Sequence, residues 1–135
     1  TPLDREDLYR LSRSVDDILD LLRDFVREAD LFGLGDLEFT APLLEGVIAG
    51  LDELAVAVGK VVDEPQEVTR AALLAKKADN RVREAKQHAI AELFDGPVDV
   101  DMLRKRELLT RLDGVGQLLG EAANALSDAM LKRSH

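Results

Sequence analysis

Apolar residues recur along most of this chain in steps of three and four, the spacing of one face of a helix. The first such stripe is Leu8, Leu11, Val15, Ile18, Leu22, Phe25 and Ala29. Asp4 stands where an N-cap is needed, with Asp7 three residues later approximating a capping box, and acids crowd the first turn where the helix dipole favours them. Gly33 and Gly35 end the helix. A second helix follows Thr40-Ala41-Pro42, in which Thr caps and Pro is tolerated in the first turn. Its stripe is Leu44, Val47, Leu51, Leu54, Val58 and Val61. Asp63-Glu64-Pro65 stops it and opens a third, whose stripe (Val68, Ala71, Ala75, Ala78, Val82, Ala85, Ala89) is mostly small. Asp95-Gly96-Pro97 is a turn. The fourth helix begins near Asp99 and carries Leu108, Leu112, Val115, Leu119, Ala122 and Leu126. No stretch sustains the period-two alternation of a strand. The expected turns fall near residues 33–39, 62–65 and 95–99. Short connections between long helices favour antiparallel neighbours, so the fold class is all-α, an antiparallel up-down helical bundle of four long helices. Residues 1–135 form a single helical domain.

Composition agrees and removes several functions. A chain of 135 residues can bury a real core, and with 46% apolar but only 4% aromatic residues that core is aliphatic. A formal net charge of -9 repels nucleic acid, and the denser basic clusters, Lys76-Lys77 and Arg104-Lys105-Arg106, are flanked by acids. There is no cysteine, hence no disulfide and no thiolate chemistry. No apolar run approaches the roughly 20 residues that span a bilayer, and the N-terminus lacks the pattern of a signal peptide. These features point to a cytoplasmic protein that does not insert into the membrane directly.

The opening segment, Thr-Pro-Leu-Asp-Arg-Glu-Asp-Leu-Tyr-Arg-Leu-Ser followed by Asp16-Asp17-Ile18-Leu19-Asp20, closely resembles the signature of the PhoU-like phosphate transport regulators, accessory proteins of Pit-type phosphate transporters. Ala89-Ile90-Ala91-Glu92-Leu93-Phe94 and residues 106–124 add weaker likeness. An internal echo accompanies it. Arg5-Glu6-Asp7-Leu8-Tyr9-Arg10-Leu11 matches Arg106-Glu107-Leu108-Leu109-Thr110-Arg111-Leu112 at five of seven positions. PhoU-like domains resemble a duplicated three-helix unit, which implies that the first and fourth helices here are equivalent members of two repeats. On that template the chain is the last four helices of a six-helix domain.

The resemblance also implies a candidate metal centre. The family's acid-x-x-x-acid motif on the repeated helix gathers metal ions, since residues four apart share a face and hard cations prefer carboxylate oxygens. Carried over, the motif falls on Ser12 and Asp16 and on Asp113 and Gln117, so each copy keeps one acid. Asp20 and Glu121 extend the two ridges by a turn. The candidate ligand set is therefore Asp16, Asp20, Asp113 and Glu121, for a divalent or ferric ion, and it requires the first and fourth helices to be adjacent. The opposing reading is a solvated acidic face. Glu84 and His88 are a second pair at helical spacing, a spacing more often found in an exposed contact, and His135 at the chain end carries no signal. Gly114, Gly116 and Gly120 are costly inside a helix and are explained most simply by a tight helix crossing. Catalytic signals are poor: no phosphate loop, no paired His, no nucleophile elbow, and Ser12 and Ser14 have no nearby base.

The functional expectation is a non-enzymatic cytoplasmic regulator of inorganic phosphate transport. It would act by helical-surface contact with a Pit-type transporter, at the inner face of the membrane, with a bound metal tuning it. A metal-binding bundle and a purely structural dimerisation module are the alternatives. The alanine-rich third helix buries little area per residue, so the apolar faces of the second and third helices are expected to be completed by another chain, most simply in a homo-oligomer.

Overall fold

The computed structural model describes residues 4–133; residues 1–3 of the opening signature and His135 lie outside it. Its elements are α1 (Arg5–Leu31), a short 3-10 turn η1 (Glu38–Thr40), α2 (Ala41–Gly59), α3 (Pro65–Phe94) and α4 (Val100–Arg133), and no strand occurs among the described residues. The molecule is a helical bundle. Its three connections fall where the Gly, Pro and Asp punctuation places them.

The helix ends show why. Asp4 caps α1 by accepting a hydrogen bond from the Glu6 backbone N–H at 2.8 Å. The expected capping box does not form, because Asp7 turns inward and is 1% exposed. At the other end Gly33 takes φ +69°, a conformation that suits glycine, and closes a Schellman motif. The Gly33 N–H donates to the Asp30 carbonyl at 3.0 Å and the Leu34 N–H to the Ala29 carbonyl at 3.1 Å. Thr40 occupies the N-cap position of α2 without capping it; its hydroxyl donates back to the Leu37 carbonyl at 2.6 Å, spending on η1 the group expected to cap the helix. Asp99 caps α4 by accepting from the Met102 N–H at 2.9 Å.

α4 is the hub, packed against α1, α2 and α3, whereas α1 has its extensive packing with α4. Along the α1/α4 seam, Asp7 meets Lys132, Arg10 meets Asp128, and Glu28 meets Arg111, so numbers rise on one helix as they fall on the other. The same reversal holds between α3 and α4, where Val82 faces Gly116 and Asp79 faces Gly120. It holds again between α2 and α3, where Gly46 faces Val82 and Gly50 faces Ala78.

The core is aliphatic: Leu43, Val47 and Leu54 from α2, Val68 and Val82 from α3, and Leu108, Leu112, Leu119 and Leu126 from α4, with Ile18 and Phe25 from α1. The alanines of α3 are buried within this chain, Ala71, Ala72, Ala75 and Ala78 each at 6% exposure or less. The alanine stripe of α3 thus finds its cover against α2 and α4, while Ile48, Val56 and Val58 of α2 and Leu73 and Leu74 of α3 stay exposed. Small residues draw three helices close enough to compensate for short side chains. A Cβ on Gly50 would lie 2.9 Å from the Ala78 Cβ and 2.9 Å from a Leu119 methyl. On Gly116 it would lie 3.1 Å from the Val82 Cβ. On α1, Leu8, Leu19 and Val26 are also exposed, on the side that α4 leaves uncovered.

Candidate functional site

Two polar seams run along α4. The first, with α1, begins at Asp7, whose carboxylate lies in the buried interface within 3.1 Å of the Lys132 ammonium. Arg10 reaches the same carboxylate at 3.4 Å and Asp128 at 3.2 Å. The Lys132 ammonium is held above its ordinary pKa, first by its hydrogen bond to Asp7 and then by the charges of Asp7, Asp4 and Glu6. Further along, Arg111 makes a two-pronged contact with Glu28, its Nε donating to Oε2 at 3.4 Å and its Nη2 to Oε1. That hydrogen bond is the main reason the guanidinium is pushed further up. These pairs fix the register of α1 on α4.

The second seam, between α3 and α4, is where unsatisfied acid collects. Asp113 is 6% exposed, and its Oδ2 accepts from Lys86 and from Gln117, each at 3.3 Å. Its Oδ1 is buried and has no hydrogen-bond partner among the described residues, and the same is true of Oδ1 of Asp79. Asp79 sits against the glycine pair: Cβ atoms on Gly116 and Gly120 would come within 3.5 Å and 2.9 Å of its carboxylate oxygens. Burial pushes the Asp79 carboxyl upward; Arg83 opposes this, at 3.7 Å, while the charges of Asp113 and Glu121 add to it. Gly116 and Gly120 therefore serve a tight crossing, as their spacing suggests. They also press α4 against a carboxylate, which their spacing does not reveal.

The four residues of the candidate metal centre are distributed over these surfaces. Asp16 is exposed on α1, and Asp20, exposed on the same helix, pairs with Arg23 at 3.3 Å. Glu121 lines a groove between α1 and α4 together with Arg10, Arg13, Ser14, Asp17 and Asn124. Asp113 faces α3 and is engaged by Lys86. Among the described residues no group of three or more His, Cys, Asp or Glu side chains is placed to hold a metal ion. Glu84 and His88 are both exposed on α3.

The sequence reading missed Asp7 and Asp79. A signal existed for each. Asp7 shares seven- and four-residue spacing with Ser14, Ile18 and Phe25, all buried in α1. Asp79 lies seven residues from both buried Ala72 and half-buried Lys86, on the flank of the alanine stripe. Gly46 and Gly50, on α2, belong to the same tight contact as the glycines of α4. Among the described residues no helix is long and apolar enough to cross a membrane. Family models, curated proteins and solved structures were compared with the chain, and none matches it.

Proposed function

We propose that this chain is a non-enzymatic accessory protein of inorganic phosphate transport, a PhoU-like regulator that works in the cytoplasm by presenting a helical surface to a Pit-type transporter. In this reading α1 and α4 are equivalent helices of two repeats in an up-down antiparallel bundle. The observation that carries it is a correspondence of burial. In the register of the sequence echo, the buried residues of α1 (Asp7, Ser14, Ile18, Phe25, Ala29) fall on Leu108, Val115, Leu119, Leu126 and Met130 of α4, and all five are buried. A slip of one residue toward the N-terminus would bring exposed Glu107 into the set, and one toward the C-terminus would bring exposed Leu131.

The same register accounts for the bare side of α1. Exposed Leu8 and Leu19 fall on Leu109 and Gly120, which are buried in α4. If the repeats are equivalent, the outer face of α1 is a surface for two further helices, from a preceding segment, a second copy or the transporter. Tuning by a metal held on Asp16, Asp20, Asp113 and Glu121 draws no support from the placement of those side chains. The test is co-purification of the full chain with a Pit-type phosphate transporter in detergent. Capture that is lost in a Leu8→Glu, Leu19→Glu variant supports the reading, and reproducible absence of capture overturns it.

A further inference from the structure

The face of α1 that α4 leaves open carries a pattern that reads nearly the same from either end. Its apolar seam runs Leu8, Val15, Leu19, Leu22 and Val26, of which Leu8, Leu19 and Val26 are exposed and Val15 and Leu22 half-buried. Steps of seven, four, three and four keep these side chains on one stripe about 27 Å long. The inner four are symmetric about a point between Asp20 and Leu21, Leu19 matching Leu22 and Val15 matching Val26. Beside the seam, on the flank away from α4, a row of exposed residues repeats every seven positions as Tyr9, Asp16, Arg23 and Asp30. Its charges invert about nearly the same point, with Asp16 on one side and Arg23 on the other. Asp16 makes no ion pair among the described residues. Arg23 makes an exposed contact with Asp20 at 3.3 Å, of a kind worth little.

We infer that two copies of this chain associate through α1, laid antiparallel, with Asp16 of each facing the partner's Arg23. A two-fold contact has to be self-complementary, because one patch serves both copies. With the axis at the point of symmetry, Leu19 lies on the partner's Leu22 and Val15 on the partner's Val26. Like flanks meet in an antiparallel pair, so the charged row meets itself and the Asp16–Arg23 pairing is made twice. Tyr9 falls beside the partner's Asp30, to which its phenol can donate. A parallel pair would put the two rows on opposite flanks, each against the partner's Leu11, Ile18 and Phe25, and the charges would go unanswered. Ile18 and Phe25 are moreover already buried in the core. The apolar seam supplies the attraction. The inverted charges select the orientation, and they favour a second copy over an unrelated helix.

The inference rests on the open face of α1 and requires no transporter. Sedimentation equilibrium of the full chain with charge reversals at the two positions is the direct test. Both positions are exposed, so the reversals leave the core untouched, and circular dichroism checks that each variant folds. Asp16→Arg sets like charges against each other twice and should weaken the dimer by about tenfold. It also lowers the negative charge of a chain at -9, which on general grounds would favour association, so weakening is a specific signature. Arg23→Asp should weaken the dimer too. Residues 16 and 23 are about two turns apart on one helix, too far to pair within a chain, so recovery in the double reversal has to come from pairing between copies. The two single variants, once mixed, should associate with each other more tightly than either does with itself. A parent chain that stays monomeric overturns the inference. So does a dimer indifferent to Asp16→Arg, or a double reversal that recovers nothing. Transporter capture is measured separately, so a monomer that still captures its transporter removes the dimer and leaves the proposed function standing.

Discussion

Asp79 is the residue at which this fold works against itself. Its side chain is 16% exposed, one oxygen has no hydrogen-bond partner among the described residues, and its carboxyl is raised, first by burial. A raised acid binds its proton more tightly in the folded state than in the unfolded one. Stability on its account is therefore greatest below the ordinary value of 3.8 and falls as pH rises through the folded-state pKa. Asp79→Asn should accordingly raise the melting temperature at pH 7, by the equivalent of about 1 kcal/mol, because it removes a buried and poorly paired negative charge. The gain should shrink on acidification and be gone below pH 3.8, which thermal melts across pH 3–8 would follow. Asp7 also has an oxygen, Oδ2, with no hydrogen-bond partner among the described residues, but its charge is answered by the Lys132 ammonium at 3.1 Å and by Arg10 at 3.4 Å. Removing the exposed cation strands the buried anion, so Lys132→Met should cost more stability than Asp7→Asn in denaturant titrations. Lys132 is raised in the folded state, so its share is present below pH 10.5 and lost as pH climbs through the folded value.

At the scale of the helix, substitutions at glycine separate propensity from packing. Alanine in a helix interior is favoured over glycine by about 1 kcal/mol, and overpacking a tight contact costs about 1–3 kcal/mol. At Gly50 the new methyl would meet the Ala78 Cβ, which is fixed to the backbone, so the helices themselves must part. Gly50→Ala should destabilise by up to about 2 kcal/mol net, whereas Gly59→Ala, with nothing within 4 Å, should be neutral or slightly stabilising. Equilibrium urea unfolding of the two variants checks both signs. This contrast also marks what the sequence could say. Four helices, their breaks at Gly33, Glu64-Pro65 and Gly96-Pro97, and a glycine crossing on α4 were readable from period and punctuation. The partner of that crossing was not, because which helix meets Gly116 depends on how α3 and α4 are rotated about their axes. The carboxylates failed for the same reason. Asp16 and Asp113 look alike in a motif, but α3 covers the flank of α4 that holds Asp113, while the flank of α1 that holds Asp16 is open.

At the scale of the whole molecule the asymmetry of coverage matters most. α4 is packed by three helices and α1 chiefly by one, although the two share a five-of-seven sequence echo. The result is an apolar strip on α1, in which Leu8, Leu19 and Val26 are exposed at 44%, 59% and 66% beside half-buried Leu11, Val15 and Leu22. A continuous strip of this kind on one helix favours association. A second copy is the simplest cover, because a strip that runs along a helix can pack on its own symmetry mate in an isologous contact. Sedimentation equilibrium at micromolar concentration should therefore show a dimer of the 135-residue chain. Leu19→Glu with Val26→Glu should convert it to a monomer whose melting, extrapolated to high dilution, matches that of the parent, since both side chains lie outside the core. A parent that sediments as a monomer throughout would rule out a second copy as the cover of this strip.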